Sequence, residues 1–504
     1  MADKGEFAAA GAAPTRRFFF PRLSLFQWFI RLLPAVVYAL WAYSRQGPFQ
    51  SSACIHFSIG CPRSSANLSG LLDRPEHYGQ VVRYYGSLFQ AHEDLGGTFA
   101  VFVDGKPVID VHAGSKDLKM TEPYTNRTLQ QVYSSGKMVE GLVIARLVQR
   151  GLLDYEKRIT EYWPEFGQNG KEDVRLVDLM VHESGVFFPD DDGLETPMAW
   201  ADLLDEETFS ERLARQKHEF GGEATRAYMA ISRGWYLNEI VRRVDPHGRT
   251  ISQIAEQELM QDYKDVELYY SQLPNEQDWD ERLSPMHDYP RLRLLGRLVL
   301  PTWFQTNKYV GHPGLKPLHA LVSEIILGPF KKTIASRAVA PSMARLPHLF
   351  RTKEAHAVES TSFSLKTNAH SLAKLAAMMA NKGASLNPEQ EPDLLDRETY
   401  ELATTFHSLK PCKVTTESLP LSRGGWVKSR NFYGDGPLKG VEVQGWAGAG
   451  GSLVVWIEEL NIGFSYVTNA FGPPETVLGD YRSKILLDRV VYARKSELGL
   501  LEKK

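Results

Sequence analysis

At Tyr133-Ser134-Ser135-Gly136-Lys137 the chain sets a hydroxyl and an amine three residues apart, at the entrance of a helix whose apolar positions run from Val139 to Val148. Residues three apart on a helix share a face, so Ser134 and Lys137 can meet. A serine hydroxyl is a poor nucleophile at neutral pH and needs a base within hydrogen-bond reach and somewhere to settle an oxyanion. A partly desolvated lysine can lose enough basicity to accept that proton. The helix N-terminus adds positive potential and N–H groups where negative charge develops. These residues suit nucleophilic acyl chemistry. The same spacing recurs at Ser371-Leu-Ala-Lys374, where Leu372, Leu375 and Met378 fall at core positions and no loop or glycine precedes the serine. That copy reads as an ordinary helix face.

Two further stretches accompany Ser134. Ala227-Tyr228-Met-Ala-Ile-Ser-Arg-Gly234-Trp235 sets a tyrosine six residues ahead of a Gly-Trp that opens a helix. Gln444-Gly445-Trp446-Ala447-Gly448-Ala449-Gly450-Gly451-Ser452 lies at the start of a strand. In this order the three resemble the serine β-lactamase-related family of class C β-lactamases, penicillin-binding proteins, family VIII esterases and animal β-lactamase-domain proteins. Leu179-Met-Val-His182-Glu-Ser184-Gly185 is similar to that family's Leu-x-x-His-x-Ser-Gly turn. The resemblance runs from Gly86 to Arg494, with 260–360 looking like an insertion.

Position by position, the resemblance implies that Ser134 is the acylated nucleophile, Lys137 its proton-handling partner and Tyr228 the proton shuttle to the leaving group. It implies an oxyanion hole from the N–H groups of Ser134 and Ala449. Gly448, Gly450 and Gly451 would let substrate approach the strand. Two departures matter. Ala230 stands where β-lactamases carry the asparagine of Tyr-x-Asn, and Trp446-Ala447-Gly448 replaces Lys-Thr-Gly. Without that lysine and threonine an anionic antibiotic loses its grip. Family VIII esterases, by resemblance, carry tryptophan or histidine there, so Trp446 is expected either as an apolar wall beside the substrate or as plain core. His182 is expected to shape a turn rather than to act as a base.

The function implied is a serine hydrolase acting through an acyl-enzyme on an ester or a small amide or peptide, with no metal and no organic cofactor. An acyltransferase using the same site and a catalytically idle or self-assembling scaffold are the alternatives. The fold implied is α/β (α+β) and β-lactamase/transpeptidase-like: an antiparallel sheet of N- and C-terminal strands flanked by helices, with an all-helical subdomain.

The elements that must position these residues are partly legible. Phe99–Val103 and Pro107–Val111 around Asp104-Gly105 form a β-hairpin pattern. Helical spacing covers Gly136–Gly151, Gly234–Val244 and His370–Asn381, and Lys316–Lys332 carries an apolar helical stretch. Ser452–Ile457 and Ile462–Val467 make a second hairpin around Glu458–Asn461, followed by a helix at 474–495. The catalytic domain is expected over 76–500, behind a Ser/Gly/Pro-rich linker at 46–75 and a leader at 1–45.

The net charge of −3 argues against a dedicated nucleic-acid binder, and 43% hydrophobic with 24% charged residues describe a folded chain. Cys54, Cys61 and Cys412 are too few for a disulfide scaffold and lack zinc-ligand spacing. The apolar stretch Leu23–Tyr43, interrupted by Arg31, approaches the length of a membrane-spanning helix. Lys4, Arg16, Arg17 and Arg22 precede it, which predicts a single-pass anchor with the body lumenal or extracellular. A cleaved leader giving a secreted or mitochondrial protein, or a helix lying in the interface, is the alternative. Asn67-Leu-Ser and Asn126-Arg-Thr fit the glycosylation pattern.

Overall fold

A computed structural model of the 504-residue chain describes residues 30–38, 49, 66–186, 204–271, 273, 276–288, 359–415, 418–430, 436–472 and 479–501. Its strands are β1 Ser69–Leu72, β2 Gly96–Val103, β3 Lys106–Gly114, β4 Leu129–Gln131, β5 Leu283–Ser284 and β6 Lys366–Thr367. They continue with β7 Phe406–Pro411, β8 Ser418–Ser422, β9 Val427–Ser429, β10 Val443–Ala447, β11 Leu453–Ile457 and β12 Ile462–Thr468. The helices used below are α1 Pro75–Gln90, α2 Lys137–Gln149, α3 Leu176–Met180, α4 Glu206–Arg215, α5 Arg233–Val244, α6 Ala369–Ala380, α7 Arg397–Thr404 and α8 Tyr481–Glu497. Nine strands form one sheet in the order β1-β3-β2-β12-β11-β10-β9-β8-β7, and β5-β4-β6 form a small second one.

The large sheet is antiparallel throughout, and it joins the two ends of the domain where β12 pairs with β2. The β2–β3 hairpin turns at Asp104 and Gly105, both with positive φ (51° and 75°), as a right-twisted two-residue turn requires. The β11–β12 hairpin returns through Asn461 at φ 51°, a conformation asparagine tolerates.

Helices cover both faces because strand residues alternate between them. On β12, Tyr466 meets Tyr85 of α1, and Phe464 stacks edge-on against Phe99 at 5.5 Å. The neighbouring Gly463 presents bare backbone to α6: a β-carbon there would lie 2.4 Å from the Ala377 nitrogen and 2.5 Å from the Ala373 oxygen. Asn368 caps α6 by accepting from the Ser371 N–H, and Ser371 Oγ donates back to Asn368. Lys374 pairs with Asp265 and Glu391. The second serine–lysine copy is therefore structural, as its spacing predicts.

Several boundaries differ from the sequence expectations. Ser69–Leu72, inside the expected linker, is the edge strand β1, paired in register with β3. The expected insertion at 260–360 begins with core: Tyr263, Leu268 and Tyr270 are fully buried, and β5 runs beside β4. Among the described residues these buried side chains fall at irregular spacing, which is why no periodicity marks them. The C-terminal helix starts at Tyr481 rather than 474, because Asp480 caps it by accepting from the N–H groups of Arg482 and Ser483. Strands β7 to β9 lack a clean alternation in the sequence and were not expected.

At the N-terminus, residues 30–38 form a helix that exposes Ile30, Leu32, Leu33, Val36, Val37 and Tyr38. No helix among the described residues is long and apolar enough to cross a membrane, so the expected span over 23–43 is not formed within them. The remainder of that stretch, Cys54, Cys61 and the expected helix at 316–332 lie outside the described residues.

α6 is tied to the sheet through His370, whose Nδ1 lies 2.8 Å from Asp110 of β3 and whose Nε2 lies 3.0 Å from Asp265. Burial opposes charge on this ring, but hydrogen bonds to the two carboxylates outweigh it and raise its pKa from 6.5 to about 9. The stabilisation is full below pH 6.5 and is lost as pH rises through 9. Urea unfolding midpoints should therefore fall between those two pH values, and His370→Gln should flatten the decline.

Candidate active site

β4 leads into Val132 and then Tyr133, which holds φ 49°, an uncommon conformation for a non-glycine residue. A 3₁₀ turn follows over Tyr133–Gly136, and α2 begins at Lys137. With three residues per turn, side chains at i and i+3 eclipse, so Lys137 rises directly over Ser134. Lys137 Nζ lies 3.4 Å from Ser134 Oγ and donates to the carbonyls of Ala230 at 2.8 Å and Ser362 at 2.9 Å. Tyr228 Oη donates to Ser134 Oγ at 2.7 Å, and the Lys137 amine sits 5.2 Å from the centre of the Tyr228 ring. Two stretches nearly a hundred residues apart thus meet at one hydroxyl.

The surroundings disfavour charge on both partners. Burial, reinforced by the nearby Arg233 guanidinium, drives Lys137 well below the usual lysine range. Burial pushes the Tyr228 phenol up, against the pull of its hydrogen bond to Ser134. His182 supports the tyrosine: its ring meets the Tyr228 ring edge-on at 4.9 Å, its Nδ1 accepts from the Met229 N–H, and its carbonyl accepts from Ala227. Burial and neighbouring cations keep His182 well below the ordinary histidine value, so it stays uncharged. The turn role expected for it fits. Cys412 adds one more contact, its Sγ accepting from the Tyr228 N–H at 3.3 Å.

The glycine-rich stretch is strand β10 plus the turn into β11. Ser452 Oγ bonds Ser135 Oγ at 3.0 Å and donates to the Val132 carbonyl at 2.9 Å, while Gly448 N–H donates to the Ser452 carbonyl. Arg482, fully buried, holds the far side of the turn by donating to the Gly450 carbonyl. Ala449 is exposed at the tip. Among the described residues neither its N–H nor that of Ser134 has an acceptor. The serine pair was not singled out from sequence. Its signal was Ser135 beside the nucleophile and Ser452 closing the glycine-rich run.

A family model described as Beta-lactamase matches residues 86–488. The chain belongs to the beta-lactamase family. Among curated proteins it is 38% identical over 165 residues to "Esterase/beta-lactamase LipL" of Mycobacterium tuberculosis (strain ATCC 25618 / H37Rv), covering 32% of this chain and 37% of that one. It is 32% identical over 90 residues to a beta-lactamase of Yersinia enterocolitica, covering 18% of this chain and 23% of that one. The matches thus span little more than a third, at most, of these relatives' lengths. In fold it is similar to a penicillin-binding protein homologue from Caulobacter crescentus, with TM-score 0.66, 23% identity and coverage of 85% of this chain and all of that one. A family VIII carboxylesterase aligns with TM-score 0.66, 22% identity and coverage of 85% and 99%.

Of the two places expected for Trp446 in this beta-lactamase-family chain, the structure shows plain core rather than an open wall. The indole has no exposed surface, stacking behind Tyr228 at 5.9 Å with His182 and Arg233 against it, because its side of β10 faces the protein interior. Gly448 does not make room for substrate. A β-carbon there would lie 2.0 Å from the Val132 carbonyl and 2.3 Å from Ser452 Oγ, so the glycine lets β10 abut the serine turn.

Gly448→Ala should therefore push the Ala449 turn away from Ser134. Labelling of Ser134 by a fluorophosphonate is expected to slow about 100-fold, the scale of losing one oxyanion donor, with cooperative unfolding retained. Unchanged labelling kinetics would dissociate the two turns.

Proposed function

We propose that the chain is a serine hydrolase that forms an acyl-enzyme on Ser134, acting on esters or on small amides or peptides. The observation that carries this reading is the convergence of two neutral proton carriers on one oxygen, Tyr228 Oη at 2.7 Å and Lys137 Nζ at 3.4 Å. A neutral amine has two N–H bonds and one lone pair. The carbonyls of Ala230 and Ser362 take the N–H bonds, which leaves the lone pair to the Ser134 hydroxyl.

In this mechanism the Ser134 proton passes to Lys137 as Oγ bonds to the substrate carbonyl carbon. The carbonyl π electrons move onto oxygen, where the N–H groups of Ser134 and Ala449 receive the charge. When the intermediate collapses, the bond to the leaving group breaks and that group takes the Tyr228 proton. The Lys137 ammonium restores the phenol. Water then repeats the cycle on the acyl ester, giving its proton to the same relay and freeing the acid, while Ser134 regains its hydrogen.

The name of LipL, which pairs esterase with beta-lactamase, and the carboxylesterase fold neighbour support the ester reading. So does Trp446 in place of a lysine: with that residue buried and uncharged, a carboxylate on the substrate has no cation to meet at this position. The proposal includes membrane association through the N-terminal segment, supported by the exposed apolar residues of 30–38. A lumenal or extracellular body is supported by the exposure of Asn67 and Asn126.

Ser134→Ala should abolish labelling by a p-nitrophenyl ester and lower turnover by at least about 10⁴-fold. Labelling that survives would exclude Ser134 as the nucleophile and favour the idle-scaffold reading. In the parent protein, kcat/KM should fall as pH drops and Lys137 gains a proton, with the acid limb well below the ordinary lysine value of 10.5. The alkaline limb should lie high, because the raised Tyr228 phenol keeps its proton. A profile that rises only above pH 10.5 would remove Lys137 as the base.

A further inference from the structure

Behind the lysine lies a buried ion pair that the mechanism above does not use. Arg233, the first residue of α5, and Glu140, one turn beyond Lys137 on α2, are both fully buried, with Arg233 Nε 2.5 Å from Glu140 Oε1. The other carboxylate oxygen, Oε2, accepts from Thr361 Oγ1 at 2.8 Å and Ser362 Oγ at 3.0 Å. Ser362 Oγ also accepts from the Gly234 N–H, and the Ser362 carbonyl is one of the two that take the Lys137 N–H bonds. Gly234 is bare because a β-carbon would lie 2.3 Å from Thr361 Oγ1 and 2.9 Å from Glu140 Oε2. Arg233 Nη1 donates to the Met180 carbonyl, and Nη2 has no acceptor among the described residues.

We infer that the Arg233–Glu140 pair is a positioning device for Lys137: it aims the Ser362 carbonyl at the amine, and by occupying Glu140, the one carboxylate near it among the described residues, it keeps that amine neutral. The inference rests on Lys137 being the base of the proposed hydrolase. The groups that face Lys137 are Ser134 from the 3₁₀ turn, Glu140 from its own helix, Tyr228 and Arg233 from the second motif, His182 from the turn after α3, and Thr361 and Ser362 from the chain before β6. Tyr270 adds a hydroxyl over the Gly136 carbonyl at 3.4 Å. Of these, Glu140 is the one that could serve as counter-ion to an ammonium, and both its oxygens are engaged. The guanidinium meanwhile repels a charged amine, in the same direction as burial.

The test is a pH titration of Lys137 in the intact chain by NMR of lysine carrying ¹³C at the ε position, its resonance assigned by its loss in Lys137→Met, run beside kcat/KM profiles. Glu140→Gln leaves the guanidinium unbalanced and should move the Lys137 midpoint and the acid limb to lower pH. Arg233→Gln frees the carboxylate and should move both to higher pH, lowering kcat/KM near neutrality by about tenfold or more. The double variant Arg233→Met with Glu140→Leu removes both charges, as buried pairs often tolerate, and should titrate between the two. If only the double variant folds, its midpoint must still differ from the parent's, and an unmoved midpoint overturns the inference. A merely structural pair would lower rates and leave every midpoint unmoved, which would overturn the inference while leaving the hydrolase reading intact. Midpoints that move as stated in a protein without Ser134-dependent turnover would instead remove the hydrolase reading.

Discussion

An amine taken out of water, with no anion in contact among the described residues, is the constraint on which this site is built. Transferring an ammonium into a protein interior is so unfavourable that a buried lysine sheds its proton instead. Lys137 is buried in that way, and what surrounds it is matched to a neutral amine: two carbonyls for its two hydrogens and a hydroxyl for its lone pair. Each of these partners comes from a different part of the chain. The Ser134 turn, the segment after Tyr228 and the stretch before β6 must all be in register before the amine has its full set of partners.

That register is supplied by the large sheet. β10 and β11 sit near its middle, so the turn between them cannot drift, and the paired hydroxyls of Ser135 and Ser452 clamp it to the entrance of α2. Arg482 braces the same turn from α8 with contacts to the Gly450 and Ala470 carbonyls and to Asp480. The positive φ of Tyr133 belongs to this arrangement: two residues past the end of β4 it opens the 3₁₀ turn, so the chain bends away instead of extending the strand. Backbone in such a conformation persists only where its surroundings over-determine it.

What was legible in the sequence was what local patterns encode. Ser134 with Lys137, both hairpins and the helices after Lys137 and Arg233 each follow from spacing within about fifteen residues, while Tyr228 ahead of Gly234 was legible through the family resemblance. What was hidden depends on partners far away. Glu140 and Arg233 look like ordinary helix charges until the fold removes both from water. Thr361 and Ser362 sit at the edge of a stretch that reads as an insertion. The orientation of Trp446 could not be read because the residues of β10 are buried on both faces, so alternation carries no signal there. Gly448 was noticed, but its role is close contact with the Val132 carbonyl rather than with a ligand.

The pairing of β12 with β2 also orders events in time. Residues 96–103 leave the ribosome early, yet their neighbour in the sheet is synthesised some 360 residues later, and the turn carrying Ala449 shortly before it. Until then the hairpin of β2 and β3 carries an unfilled edge, and Ser134 lacks one of the two N–H groups proposed to receive the oxyanion. Domains generally fold as units, and contacts this distant in sequence form slowly. A chain not yet extended through β12 would thus carry Ser134 without the turn at Ala449, so the reactivity proposed above would arise only after both partners of that strand pairing are made.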